Sequence, residues 1–513
     1  VLLRLYRSSV IMVSSVGLVA IIVGIITGCL WSPVYNSIVH RELILNPVSK
    51  SFSLWKETPI PMYLKIYLFN WTNPDDFYVG SKVKPNFVEM GPYVFKEIDY
   101  KVNKVWNDEN GTVTFRQRKV WHFVEEMSTG SLNDKVTNLN TILAVNDVPI
   151  PLLTVTKTVK ELLFEGYNDP LLTLSSPLRK YKLINLVPFD KFGWFYQRNG
   201  SDTYDGTFNM LTGSRNIEDL GTIKEWNYSN KSKYQNSCGG IGGTLGDLWP
   251  PLEDKKTVSF FAPDVCTSLS LAYSNTAKYL GLTGYKYVST KDMLDNGTNV
   301  PSMACYCKDV ECVPSGVFNV SKCKFGAPAF ISLPHFYLAD ESYRTAINGM
   351  RPRKEDHEFS MVVEPVSETL PVYRCKLSWG EYQQFVDYLQ IYIRLSLINS
   401  FIVHRIFKKV PKTFIPMFWF KQETNLTSSL ANQVRFVLIL PIALSSNSSL
   451  SMENICSLSP CNKKHKLLQY IRMNFYKNAC CIIPWYLGLT KFAALFGRSS
   501  MCFASRDLLN TVF

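Results

Sequence analysis

Six cysteines, Cys238, Cys266, Cys305, Cys307, Cys312 and Cys323, fall within 86 residues and form the densest group of reactive side chains in the sequence. Thiols grouped in this way either oxidise to disulfides or, as thiolates, hold a metal. Six cysteines permit fifteen pairings, and spacing alone does not choose among them. The competing arrangement is a zinc site built from Cys305, Cys307, Cys312 and Cys323, although Cys-x-Cys is not the usual zinc-knuckle spacing. The six histidines, His40, His122, His335, His357, His404 and His465, are not spaced to bind metal with one another, and His335 and His357 read as packing or hydrogen-bonding residues. No GxSxG, HExxH or GxxxxGK occurs, and the glycine cluster Gly239–Gly246 (GGIGGTLG) does not satisfy GxGxxG. Carboxylate pairs such as Asp75-Asp76 and Glu125-Glu126 suit solvated turns. These residues argue against an enzyme, and neither a cofactor nor a metal is expected.

Disulfides need an oxidising compartment, and the N-terminal region supplies one. Val10–Leu30 (VIMVSSVGLVAIIVGIITGCL) holds twenty-one residues without a charge, enough to cross a hydrocarbon core of about 30 Å. Its apolar stretch is longer than that of a cleaved signal peptide, and no small-residue cleavage site follows. Arg4 and Arg7 precede it, which places residues 1–9 in the cytosol and everything after Trp31 outside or in a lumen. Val1 at the first position implies a natural start upstream. Sequons occur at Asn70, Asn110, Asn199, Asn227, Asn230, Asn296, Asn319, Asn425 and Asn447, all downstream of the span, as a glycosylated ectodomain requires. Asn110-Gly111 sits between two strand-like runs and predicts a hairpin tip. In this compartment disulfides are favoured over zinc.

Composition excludes other classes. With 46% apolar and 19% charged residues, the chain is too apolar to be disordered. The net charge of +13 suggests a polyanion partner, but eight Lys/Arg against two acids from Ala443 onward account for nearly half of it. No basic stripe with interleaved aromatics remains, so nucleic acid is not expected. Twenty-seven Tyr and thirty-one Phe suit sheets and apolar cavities.

Stepping along the chain, residues 31–125 read as short strands (LKIYLFNW, PYVFKEIDYKV, VTFRQRKVWHFV) punctuated by Pro, Asn and Gly. Residues 131–175 read as helical, with Thr158-Val159-Lys160-Glu161 as a capping box. Short apolar runs return from about 180 to 375, with no internal repeat. A second span is not evident: Phe436–Ala443 is too short, and Ala479–Gly497 carries Pro484 and Lys491 near its middle.

The motifs carry a resemblance. WKETPIPMYLKIYLFNWTNPDDF (Trp55–Phe77), VEMGPYVFKE (Val88–Glu97), KELLFEGYNDPLL (Lys160–Leu172) and FGWFYQRNGSDTYDGTFNMLTG (Phe192–Gly213) occur in order. GDLWPPL (Gly246–Leu252), FFAPDVC (Phe260–Cys266), FGAPAFISLPHFYLAD (Phe325–Asp340), NGMRPRKEDHEFSMVVEP (Asn348–Pro365) and IPMFWF (Ile415–Phe420) follow. Together they resemble the class B scavenger receptor family, which includes fatty-acid translocases, lysosomal integral membrane proteins and sensory neuron membrane proteins, and they are most similar to its arthropod scavenger-receptor branch. The resemblance implies a mainly β fold with some α. An antiparallel β-barrel-like ectodomain over residues 31–440 would enclose an apolar tunnel and carry a small helical head at about 131–175, beyond the span at 10–30. It implies the pairs Cys238–Cys305, Cys266–Cys323 and Cys307–Cys312, with Cys29 and the tail cysteines Cys456, Cys461, Cys480, Cys481 and Cys502 outside that framework. The barrel and its apolar cavity are expected from Leu64–Phe69, Val94–Val102, Phe192–Phe195, Phe260–Phe261 and Phe330–Phe336.

Three departures accompany the resemblance. The head is shortened between Leu139–Val145 and Thr156–Phe164, leaving Lys157 and Lys160 as the basic residues nearest a ligand-binding apex. Val372–Asp387 is inserted, and the pattern stops near Pro441, so 441–513 is a divergent segment; a retained intron or a frameshift would produce both of these. The implied function is a plasma-membrane receptor that binds lipid, lipoprotein or other anionic particles and passes apolar lipid through the tunnel to the membrane; a homo-oligomer is compatible with it. The alternative is an adhesion glycoprotein or a trafficking receptor of lysosomal or endosomal membranes without lipid transfer.

Overall fold

Long stretches of alternating apolar residues form a curled antiparallel wall. The computed structural model describes residues 41, 43–57, 60–78, 83–140, 154–168, 190–234, 236–250, 255–307, 312–324, 329–363, 386–394, 413–424, 427–429 and 431–432. Strand β1 (Met62–Trp71) turns Leu64, Ile66 and Leu68 to the core and pairs along one edge with β2 (Phe87–Asn107), where Ile66 faces Tyr93. β2 returns as β3 (Thr112–Phe123) through a turn at Asp108–Gly111, with Gly111 at φ +60°, so the Asn-Gly pair forms the hairpin tip that its sequence predicts. β6 (Thr207–Leu211) and β7 (Ile223–Trp226) extend the wall beyond β3.

Along its other edge β1 pairs with β15 (Phe414–Thr424), which pairs with β14 (Val386–Arg394). Next come β13 (Ser360–Val363), β10 (Leu282–Val288), β9 (Thr267–Tyr279) and β8 (Thr257–Ala262). β12 (Ala329–Ser332) leans on β14 and carries β11 (Val317–Asn319). The result is one 13-stranded sheet whose outermost strands are β7 and β8.

Those two edges meet. The Ile223 N–H of β7 donates to the Gly243 carbonyl at 2.8 Å. One residue on, Thr244 N–H donates to Ser259 and Phe261 N–H donates to the Thr244 carbonyl, at 3.1 and 2.7 Å. The Gly243–Thr244 step thus joins β7 to β8 and closes the main run of strands into a barrel, leaving β11 as the edge of a side branch. Gly243 lies at φ +76°, and a Cβ there would sit 2.3 Å from the Ser259 carbonyl oxygen. The glycine cluster that matches no nucleotide-binding motif is the seam of the barrel.

The head differs from its helical expectation. Within 131–175, the described residues form a ribbon of β4 (Lys135–Leu139) and β5 (Thr154–Thr158), followed by one π-helical turn at Glu161–Glu165. Thr154-Val155-Thr156-Lys157-Thr158 is β-branched at four of its five positions, which favours a strand. The capping box does form: Glu161 Oε2 accepts from the Thr158 amide at 2.9 Å and its hydroxyl at 2.7 Å, but it starts only that single turn. Asn138 Nδ2 donates to the carbonyls of Phe69, Pro416 and Met417, docking the ribbon on the ends of β1 and β15.

Two further expectations change. Val386 and Asp387, read as the end of an insertion, begin β14 and pair with Glu423 and Gln422. Phe192 makes an isolated bridge to Tyr167, and Trp194 and Phe195 lie in a turn, so Phe192–Phe195 is not a strand. Helices among the described residues are short, the longest being Lys50–Lys56, and none is long and apolar enough to cross a membrane. Val10–Leu30, the rest of the inserted segment, Asn425, Asn447, the tail from 441 and its cysteines lie outside the described residues.

Candidate functional site

The barrel interior is where the sequence concentrates its aromatic residues. Phe95 of β2 and Trp121 of β3 both meet Phe164 from the π-helical turn, with ring centroids 4.9 and 5.8 Å apart. Phe164 stacks on Phe195 at 5.4 Å, and Phe195 reaches Phe418 of β15 at 6.0 Å. Trp194 also meets Phe418, at 5.0 Å. The FGWFY turn therefore links β2 and β3, on one side of β1, to β15 on the other. Of the segments expected to build the cavity, β1, β8 and β12 contribute buried apolar residues: Leu64, Ile66, Leu68 and Phe69, Phe260 with Phe261, and Phe330. Tyr287 of β10 is fully buried among them, its hydroxyl without a hydrogen-bond partner and its pKa pushed up to about 12, chiefly by burial.

Val94–Val102 departs from that apolar expectation. Glu97, Asp99 and Lys101 of β2 are buried at 4%, 8% and 2% exposure. Lys101 Nζ bonds Asp99 at 2.6 Å and pairs with Asp247 at 2.8 Å. Burial alone would push this ammonium down, but the two carboxylates outweigh it and hold its pKa above the ordinary lysine value. Glu97 accepts from the Trp121 indole at 2.9 Å and stands 3.4 Å from Lys119. Beyond them Arg198 lies between Asp205 and Asp264, at 2.8 and 2.9 Å, and over the Trp121 ring. Burial opposes its charge, yet Asp205 and Asp264 raise its pKa further.

A second polar cluster joins β2, β15 and the turns after β12 and before β13. Glu89 Oε2 receives the Trp419 indole at 2.7 Å and lies 2.6 Å from His335 Nε2. His335 Nδ1 accepts from the Arg351 amide, and His357 Nδ1 from the Arg353 amide. The two imidazoles stack with centroids 4.5 Å apart. Burial, helped by the neighbouring His335, holds His357 down to about 4. Both histidines are thus hydrogen-bonding residues, as their sequence reading has them.

The cysteines are joined as Cys238–Cys305, Cys266–Cys323 and Cys307–Cys312, with Cα separations of 5.9, 5.8 and 4.8 Å. Every sulfur of the alternative zinc set is therefore in a disulfide. Sequon positions differ in access: Asn110, Asn199, Asn227 and Asn230 are exposed, whereas Asn70, Asn296 and Asn319 are half-buried. Asn70 Oδ1 accepts from Thr137 and Asn296 Nδ2 donates to Val313, so both also hold the fold. Lys157 and Lys160 are half-buried. Lys157 Nζ lies 5.1 Å over the Tyr167 ring, and the Lys160 amide donates to Leu132. Sequence reasoning missed Asp99, Lys101, Arg198 and Asn138; strand alternation was the available signal for the first two.

Comparison with known proteins matches this architecture to one family. The CD36 family model matches residues 15–457. The chain is 36% identical over 427 residues to Protein peste of Drosophila melanogaster, covering 79% of this chain and 74% of that protein. It is 31% identical over 430 residues to scavenger receptor class B member 1 of Cricetulus griseus, covering 79% of each. It is also 32% identical over 344 residues to lysosome membrane protein 2 of Mus musculus, covering 64% of this chain and 70% of that protein. A sheet closed at Gly243–Thr244, an aromatic interior, three disulfides in the implied pairing and a family match over most of the sequence agree: the chain belongs to the CD36 family, the class B scavenger receptors.

Proposed function

We propose that the chain is a membrane-anchored scavenger receptor whose ectodomain captures lipid or lipoprotein particles and passes apolar lipid through the barrel interior to the bilayer. The observation that carries this reading is the aromatic run from Trp121 through Phe164 and Phe195 to Phe418, inside a closed antiparallel wall. Each methylene moved from an apolar site into water costs about 0.8 kcal/mol. A protein interior that accepts the chain along its length removes that barrier, so transfer needs neither a covalent step nor nucleotide hydrolysis. The plasma membrane is the site that suits particle capture. The similarity to a lysosomal membrane protein supports the alternative, a trafficking or adhesion glycoprotein without lipid transfer.

The test is uptake of a labelled sterol ester by cells expressing the full chain, with Leu68→Trp or Leu64→Trp, opposite Phe418 and Phe95 on the same face, as blocks. Both positions are buried, at 2% and 4% exposure, and overpacking them costs about 1–3 kcal/mol, which a folded chain tolerates. Surface staining checks folding. Particle binding is expected to persist while transfer falls several-fold. Transfer unaffected by both blocks refutes a path through the interior. A surface-expressed wild-type chain that binds particles but transfers nothing leaves the docking glycoprotein as the function.

A further inference from the structure

Strand register fixes which loops share an end of the barrel. Asn138 docks the head ribbon on Phe69 and Pro416, at one end of β1 and β15. Towards the other end, Met62 stands opposite Thr424 and Glu97. β2 runs on past Glu97 to the turn at Asp108–Gly111, so that hairpin overhangs the end opposite the head. Across the ring, Glu423 stands opposite Val386, Val386 opposite Ser360, and Ser360 opposite Val288. From there β13 runs away from the head. Its partner β10 reaches further still, from Tyr285 opposite Val363 to Leu282 opposite Tyr279. Two hairpins therefore overhang the same end, from opposite sides of the closed ring. The N-terminal segment arrives at this end too: Leu45 N–H donates to the Thr212 carbonyl, and Thr212 N–H to that of Gly111. The eleven residues from Leu30, which closes the span-length apolar run, to Arg41 reach about 40 Å at most, so the membrane anchor leads into this end.

The two tips differ in chemistry. Asp108, Glu109 and Asn110 are exposed, acidic or polar, and include a sequon. The β9–β10 tip instead presents Tyr279 and Leu280 to solvent, at 46% and 39% exposure, beside an exposed Lys278. Its loop is only Leu280-Gly281, with φ of +47° and +79°. A two-residue loop with both φ positive favours Asn-Gly, and a leucine is a poor substitute there, because its side chain opposes the left-handed conformation and makes no compensating local hydrogen bond. Leu280 thus suits neither the turn nor water. The exposed sequons Asn110, Asn199, Asn227 and Asn230 lie on or beside β3 and β7, whereas none falls within Thr267–Val288. The β9–β10 hairpin is the apolar, sugar-free overhang.

We propose that this tip is a membrane-contact site, with Leu280 and Tyr279 inserted among the head groups and upper acyl chains of the bilayer that anchors the chain. A tyrosine suits that depth, its ring apolar and its hydroxyl wet, and Lys278 extends its ammonium to the lipid phosphates. Two side chains bind a surface weakly, but the anchor holds the tip beside the bilayer at high effective concentration, so weak contact suffices. The occupant is therefore the chain's own membrane. The proposal rests on membrane anchorage alone and stands whether or not lipid passes through the barrel. The contact lies across the ring from the N-terminal anchor and fixes the ectodomain with its head pointing away from the bilayer.

The experiment places the full chain, one copy per disc, in nanodiscs of phosphatidylcholine and phosphatidylserine doped with a diazirine-bearing phosphatidylcholine, and maps the photoadducts by mass spectrometry. Adducts are expected on the peptide that carries Lys278–Leu282. They are not expected at Val88, an apolar residue of 50% exposure that pairs with Asn70 near the head. Leu280→Asn suits the positive φ, so it keeps the hairpin while removing the apolar side chain. It is expected to cut the tip adduct several-fold without lowering the unfolding midpoint, a separation that loss of structure would not produce. If that variant does not fold, the map of the unaltered chain still decides. An unlabelled tip overturns the contact, and adducts confined to the barrel interior do so while leaving the lipid path standing. Equal labelling at Val88 and the tip, or a tip adduct unchanged by Leu280→Asn, also overturns it. Tip protection that appears only when two copies share a disc overturns it in favour of contact between chains.

Discussion

The wall of β1, β2 and β3 and the cysteine-bearing stretch from residue 290 to 340 are held by different physics. β2 runs for 21 residues with a partner on each side over much of its length, so its backbone groups are satisfied by the ladder. Its inner face can then carry buried charges. The cysteine-bearing stretch has strands of three and four residues, β11 and β12, among 3-10 turns at Lys291–Leu294, Pro301–Tyr306 and Pro334–Phe336. Side chains and covalent links replace the ladder there. Asp295 accepts from the amides of Gly297, Asn299 and Val300 and from the Ser315 hydroxyl. Although burial opposes it, these donors hold its carboxyl down to about 2. The contrast teaches that regular pairing frees side chains for an internal ionic layer, whereas irregular backbone commits them to structure.

Breaking the ionic layer tests the first half of that contrast. Lys101→Met leaves Asp99 and Asp247 facing each other in the interior and is expected to cost as much as about 5 kcal/mol, read as a lower unfolding midpoint. A loss below about 1 kcal/mol would mean that the layer is hydrated and only loosely coupled to the fold.

Removing staples tests the second half. Cys266→Ser with Cys323→Ser opens a link across 57 residues of sequence and is expected to cost about 4 kcal/mol on a chain-entropy estimate. The Cys307–Cys312 pair, five residues apart, is worth about 2 kcal/mol on the same basis. Hydrogen exchange should then rise around β11 and β12 while β1–β3 stay protected. Uniform loss of protection would show that the two regions unfold together.

The pH-dependent effect lies where the regions touch, at Glu89, Trp419, His335 and His357. An unfolded imidazole takes up its proton near 6.5, while His357 resists protonation until about 4. In that window the unfolded chain binds more protons, so stability falls as pH drops, by at most about 1.4 kcal/mol per pH unit. Burial pushes the Glu89 carboxyl up, but His335 and Trp419 hold it below its ordinary value, which adds in the same direction at the acid end. Melting temperature measured from pH 7 to 4 should fall, and His357→Phe should flatten the slope. A rise on acidification would refute control by His357.

Much of this arrangement was legible in the residues. The Asn110-Gly111 hairpin, the capping box at Thr158 and the apolar alternation of β1 follow local rules that the fold obeys. The disulfide pairing came from resemblance, since spacing left fifteen choices open. The ionic layer was hidden because FKEIDYKV reads equally well with its charges outward. Only partners distant in sequence, Trp121 and Asp247, make the inward register affordable. The ribbon at β4 and β5 was missed because a helical pattern was read across residues whose β-branching favours strands. The role of Gly243 depends on the carbonyl of Ser259, which no local pattern announces.

The pairing of β1 with β15 sets residue 66 opposite residue 420. Almost every other contact in the wall joins segments made close together in time, so an emerging chain assembles an open arc from β1 round to β13 first. Until the last strands are synthesised and slotted between those two, the arc presents two unpaired edges rich in aromatic residues. Biosynthesis of this protein therefore carries its greatest aggregation hazard late, and a polypeptide interrupted before residue 414 would hold nearly all of the wall, the Gly243–Thr244 seam included, but lack the strand that pairs with β1.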